Sequence, residues 1–235
     1  MRPILRVVTT ATLGLVAMSC LTTPASETGY SARARQLQPR LCGPDALIEN
    51  ADDGDTRTVV RAGRGGYWYT FLDPEGSTIE PNPFKIGAPG HGGSPHAAHM
   101  HGVTASSGPS IYAGMAFALT DPRSAYDASR YVGVTFWAKG PAHVRFEIPD
   151  AYTTPEGGHC QDCYNDFGIE LAFTADWQRY TLPFAWLAQR QGWGDPRPEI
   201  ASEALYAMEW QFGTPGREFD VWIDDVEFVC GVDGK

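Results

Sequence analysis

Residues Phe219-Asp-Val-Trp-Ile-Asp-Asp-Val-Glu-Phe228 decide the fold. Phe219, Val221 and Ile223 alternate with Asp220 and Trp222, the period of a half-buried strand. The apolar face resumes at Val226 and Phe228, one step out of phase. The odd spacing from Ile223 to Val226 predicts a β-bulge at Asp224-Asp225, which re-aims two carboxylates out of the sheet. Paired carboxylates at a strand kink suit a hard cation such as Ca2+.

Short β-rich runs of the same kind recur upstream between turn signals. They are Tyr67 to Leu72, Ala97 to Val103, Tyr112 to Leu119, Tyr131 to Lys139, His143 to Ile148, Gly168 to Phe173, Gln178 to Pro183 and Ala204 to Phe212. Clusters such as Asp73-Pro-Glu-Gly76, Asp121-Pro122 and Gly213-Thr-Pro-Gly216 separate them, and only Ala185 to Gln191 offers a helical turn. Many short strands with no interleaved helices predict an all-β protein, a jelly-roll β-sandwich.

Alternation assigns a face to each residue of a strand. Val134, Phe136 and Ala138 oppose Thr135, Trp137 and Lys139. Val144, Phe146 and Ile148 oppose Arg145 and Glu147, and Met208, Trp210 and Phe212 oppose Glu209 and Gln211. If the three strands are neighbours in one sheet, Trp137, Arg145, Glu147, Glu209 and Gln211 share a surface. That surface would suit a sugar: an indole stacks on the C–H face of a pyranose while the polar groups bond its hydroxyls. Tyr67 and Tyr69 share a face of their strand, and Trp193, in a Gly-Trp-Gly turn, reads as a loop-packing residue.

The ends of the chain read differently. Arg2 and Arg6, then the apolar run Val7 to Ala17, form a secretory signal over residues 1–19, too short for a membrane span. Ala17-Met-Ser-Cys20 resembles a bacterial lipobox, with Cys20 as the lipidated residue and residues 20–43 as a tether to a single domain over 44–235. The resemblance implies an exported, lipid-anchored protein of the cell envelope, and the expected state is a monomer. Setting Cys20 aside leaves Cys42, Cys160, Cys163 and Cys230. The simplest of three pairings joins Cys160 to Cys163 in a small loop and Cys42 to Cys230 across the ends of the domain. A formal charge of −10 excludes a nucleic-acid partner and an electrostatic hold on anionic lipid.

Several segments together resemble the family 11 carbohydrate-binding modules, of galactose-binding-domain-like fold. They are Leu47-Ile-Glu-Asn-Ala-Asp-Asp-Gly-Asp55, Gly66-Tyr-Trp-Tyr-Thr-Phe71, Tyr112-Ala-Gly-Met-Ala-Phe117, Val134-Thr-Phe-Trp-Ala-Lys-Gly140, Phe184 to Gly194, and Trp222-Ile-Asp-Asp-Val226. The resemblance implies noncatalytic binding of a β-glucan-like polysaccharide, with tyrosines among the binding groups. It also implies a structural Ca2+ held by Asp52 and Asp224, with Asp225 as the alternative.

Other readings compete. Arg145-Phe-Glu147 echoes the Arg-x-Glu strand of alginate lyases, but the partner motifs Gln-x-His and Tyr-x-Lys are missing in register. Glu147 and Glu209 could form a glycosidase pair if their separation suits it. A tyrosine-rich face could instead bind protein. His99 and His101 project from one side of a strand, a minor candidate for Zn2+ or Cu2+ and otherwise expected to face the cleft.

Overall fold

The computed structural model describes residues 29–232. The signal segment and Cys20 lie outside the described residues. A helix, α1 (Gly29–Gln36), precedes the strands β1 (Pro39–Leu41), β2 (Leu47–Glu49), β3 (Trp68–Leu72), β4 (Thr78–Glu80), β5 (Ile86–Gly87), β6 (Ala97–Val103), β7 (Ala113–Ala118), β8 (Gly133–Lys139), β9 (His143–Ile148), β10 (Phe167–Ala172), β11 (Gln178–Pro183), β12 (Ala207–Phe212) and β13 (Glu218–Val232). No helix among the described residues is long and apolar enough to cross a membrane.

The strands form two antiparallel sheets packed face to face. Sheet one runs β11-β8-β13-β6-β4, with β1 and β2 on β13 and β5 on β6. Sheet two runs β10-β9-β12-β7-β3. Their inner faces carry the apolar residues read from alternation. Phe136 of sheet one packs against Phe146 and Trp210 of sheet two, with ring centroids 5.3 Å and 5.4 Å apart.

That contact corrects one expectation. The apolar faces of β8, β9 and β12 meet across the sandwich, so β8 lies in the opposite sheet from β9 and β12. Trp137 therefore emerges on the outer surface of sheet one, away from Arg145, Glu147, Glu209 and Gln211. Alternation fixes the face of a side chain within its strand but not the sheet to which the strand belongs.

The bulge is present: the pairing of β13 with β8 slips between Asp224 and Glu227, and Asp225 has φ of 47°. Residues 29–43 differ from a solvated tether. Ser31 and Ala34 of α1 are buried, Ser31 Oγ accepts the Ala172 amide at 2.8 Å, and the Arg33 guanidinium lies 4.5 Å from the Trp186 ring centroid. Polar composition concealed this packing because the buried side chains are small and the arginine covers an aromatic face. The segment Ala185 to Gln191 makes only a single turn, Phe184–Trp186.

Disulfides join Cys42 to Cys230 and Cys160 to Cys163. The first closes a loop with a sequence separation of 188. Chain-entropy arithmetic gives a loop of that size a contribution of about 5 kcal/mol. Replacing Cys42 and Cys230 together by serine is expected to lower unfolding free energy by about 3–5 kcal/mol in urea titrations, with an unchanged fold by circular dichroism.

Candidate functional site

The outer face of sheet two carries the site. Strand β7 turns Met115 and Phe117 into the core and presents Gly114, Ala116 and Ala118 outward. Larger neighbours on β3 and β12 cover these small side chains: Tyr69 and Glu209, the register partners of fully buried Ala116, bond to each other at 2.9 Å. The Phe71 ring lies across Gly114, where a Cβ would come within 2.1 Å of Phe71 Cζ, so only glycine admits it.

Register aligns the polar groups. Tyr69 pairs with Ala116, Ala116 with Glu209, and Glu209 with Glu147. The adjoining row pairs Gln211 with Arg145 and Arg145 with Glu170. Together with the loops above, these residues enclose a cavity of about 570 Å3. Of the predicted residues, Tyr69, Glu147, Glu209 and Gln211 line it. Tyr67 shares the face beside Tyr69, with ring centroids 6.0 Å apart. Arg145 is buried below, engaged by Glu147 Oε2 at 2.8 Å and by the Ala188 and Asp166 carbonyls at 2.8 Å and 3.2 Å.

Loops supply what alternation does not reveal. Arg123, just past the Asp121-Pro122 turn, donates to the Tyr69 hydroxyl at 3.2 Å and reaches Glu209 at 3.9 Å and Glu156 at 3.7 Å. The small disulfide loop leads into Tyr164, Asn165 and Asp166. Asn165 Nδ2 donates to the Arg190 and Trp193 carbonyls at 2.7 Å each, locking that loop to the Gly-Trp-Gly turn. At Gly194, φ is +74° and a Cβ would come within 2.5 Å of Asn165 Cβ. Trp193 and Tyr164 are thereby held at one rim, 43% and 68% exposed, opposite Phe71 and Tyr112. Trp193 thus lines the cleft instead of only packing its loop, and the adjacent Cys-x-x-Cys and Gly-Trp-Gly motifs were the available signal.

Electrostatics in the cleft are unusual. Burial, then the Glu147 charge, pushes the Glu209 carboxyl up, although the Tyr69 hydroxyl donates to it at 2.9 Å. Burial and then the Glu209 and Glu147 charges raise Asp166 well above its ordinary value. Glu147 is raised by burial against the opposing pull of Arg145. For Arg123, burial works against the charge, but Tyr69, Glu156 and Glu209 outweigh it and raise its pKa.

The predicted metal residues come together at the bulge in the middle of β13. Burial, then Asp225, with a smaller push from Asp52, raises Asp224 to about 7. Asp224 accepts the His91 amide at 2.7 Å and the Asp225 amide at 2.8 Å, and Asp52 accepts the Ser94 hydroxyl at 2.6 Å. The donors are hard oxygens, the chemistry Ca2+ requires. Among the described residues, however, no three histidine, cysteine or acidic side chains are gathered into a ready metal-binding set.

Trp137, His91, His99 and His101 lie on the outside of sheet one. His91 stacks on Trp137 at 3.7 Å and His99 on Trp222 at 3.8 Å, while His99 Nε2 contacts Asp220 Oδ1 at 2.9 Å. His99 and His101 therefore do not face the cleft.

No family model and no curated protein matches the sequence. Solved structures do. A solution structure of CtCBM11 superposes with a TM-score of 0.55 at 14% identity, over 80% of this chain and 98% of that one. A family 11 module from Clostridium thermocellum in complex with a β-1,3-1,4-mixed-linked tetrasaccharide gives 0.52 at 14%, over 69% and 88%. A family 30 module gives 0.53 at 13%, over 78% and 98%. The chain has the β-sandwich fold of carbohydrate-binding modules.

Away from the cleft, burial holds Glu49 up at about 8 against an ordinary 4.5. The folded state then keeps a proton that the unfolded state has released, so stability falls as pH rises between those values. Melting temperature is expected to decline from pH 5 to pH 8, as measured by calorimetry across that range. A rise instead would contradict the assignment.

Proposed function

We propose that this chain is a noncatalytic carbohydrate-binding module whose cleft on sheet two takes a β-linked glycan chain. The supporting observation is the cleft itself, open, with aromatic rims at Phe71 and Tyr112 on one side and Tyr164 and Trp193 on the other, over a floor of hydrogen-bonding groups. Rings suit the C–H faces of pyranoses, and Tyr69, Glu209 and Gln211 suit their hydroxyls. The fold shared with modules of families 11 and 30 agrees with this reading.

One observation favours a second reading. Glu209 and Glu147 are direct register partners, which puts two carboxylates side by side on the cleft floor. Each is already engaged, Glu147 by Arg145 and Glu209 by Tyr69, so binding is the better account.

The proposal includes export, for which two disulfides argue through the oxidising compartment they need. A lipid anchor at Cys20 and a monomeric state are part of it and rest on the sequence. It also includes a structural Ca2+ held by Asp52 and Asp224, with Asp225 as the alternative, which would offset the repulsion among these carboxylates.

Soluble protein is expected to be retained on β-glucans without producing new reducing ends. New reducing ends would instead support the Glu147–Glu209 enzyme. Trp193→Ala is expected to weaken glycan affinity about tenfold, a loss of about 1.4 kcal/mol by calorimetric titration, while Trp137→Ala leaves it unchanged. Chelation with EDTA is expected to lower the melting temperature and added Ca2+ to restore it, because a ligand of the native state stabilises that state. An unchanged melting temperature would remove the metal from the proposal.

A further inference from the structure

The cleft is richer in acids than in bases. Glu147, Glu156, Asp166 and Glu209 line it, against Arg123 and Arg190, with Arg145 buried beneath and paired to Glu147 at 2.8 Å. Both lining arginines already face carboxylates of the chain. Arg123 stands 3.7 Å from Glu156 and 3.9 Å from Glu209, and Arg190 stands 3.4 Å from Glu170 and from Gln211 Oε1. By contrast, a neutral hydroxyl, that of Thr153, donates to Asp166, and Glu209 takes its short bond from the Tyr69 hydroxyl. Asp166 and Glu147 are 6% and 5% exposed, so little water is at hand to solvate them.

On that distribution of charge, and resting on the carbohydrate-binding reading above, we infer that the cleft takes β-linked glycans whose sugars carry unsubstituted amino groups. An ammonium brings donors and no acceptor, and it supplies a positive charge beside Asp166, whose carboxylate is met by the Thr153 hydroxyl and not by an arginine. A neutral hydroxyl supplies one donor and no charge. A uronate or sulfate would meet four carboxylates and would have to draw the arginines away from the acids they face. Burial and mutual repulsion, which hold Asp166 and Glu209 toward their protonated forms, are the terms a bound cation reverses.

The test compares a glucosamine tetramer with the fully N-acetylated tetramer, by calorimetric titration near pH 6.5 in physiological salt. The short ligands and the salt suppress diffuse attraction to a chain of formal charge −10. The free amine is expected to bind at least about tenfold tighter, and Glu209→Gln and Asp166→Asn are each expected to erase most of that preference. Glu203→Gln, a change outside the cleft lining, is expected to leave it intact. Equal affinities, or a preference that survives both cleft variants or falls equally with Glu203→Gln, would overturn the inference. Binding of a neutral β-glucan with no amine preference would overturn this inference alone. Binding of no glycan at all would overturn the function on which it rests.

Discussion

The burial of Trp210 is the constraint from which the rest follows. Its indole is wholly buried between the sheets, with Phe136 and Phe146 at 5.4 Å, Phe117 at 5.8 Å and Trp68 at 5.9 Å between ring centroids. Five large rings interlocked in this way contribute apolar area and favourable edge-to-face and offset geometry that no single substitution preserves. Because side chains alternate along a strand, seating Trp210 inward sends Glu209 and Gln211 outward. Seating Trp68 and Phe146 inward does the same for Tyr69, Arg145 and Glu147. The core therefore builds the cleft: the polar floor of one surface is the reverse side of the aromatic cluster.

Much of this architecture is legible in the order of residues. The runs Ala97–Val103, His143–Ile148 and Gln178–Pro183 coincide with strands to the residue. Each is bounded by turn residues and long enough to show its period. Strands of two or three residues, such as Ile86–Gly87 and Thr78–Glu80, escape detection because so short a segment has no period to read. The bulge is legible from a single broken alternation, since a phase change within one strand requires an inserted residue. The partnership of strands across sheets is not, because every inner face is apolar whichever sheet it belongs to. Alternation therefore groups Trp137 with residues of the opposite surface. Arg123, Tyr164 and Asp166 are hidden for a different reason: they come from loops, where position depends on long-range packing and not on local pattern.

The two outer surfaces answer the same aromatic endowment differently. On sheet one, the available ring faces are already covered. His91 lies on Trp137, His99 lies on Trp222, and Lys139 stands 5.0 Å from the Trp177 centroid and 4.7 Å from that of Trp222. These are internal cation–π and stacking contacts, which stabilise the surface and cover the faces a ligand would stack on. On sheet two, Trp193 and Tyr164 stay exposed, on loops whose backbones are tied together by the Asn165 hydrogen bonds.

Holding the rim rigid has an energetic logic. Ordering a loose loop at the moment of binding would subtract from affinity. Here the Cys160–Cys163 bridge, the Asn165 bonds to the Arg190 and Trp193 carbonyls, and the close approach of Gly194 order the backbone that carries the rings during folding. The floor works the other way. Its buried carboxylates destabilise the empty protein, since each must either keep a proton or sit poorly solvated beside its neighbours. A core selected only for stability would replace them with apolar side chains of similar size. Their placement on the floor of an open cleft, and not in the sealed interior, is what ties that cost to a ligand able to relieve it.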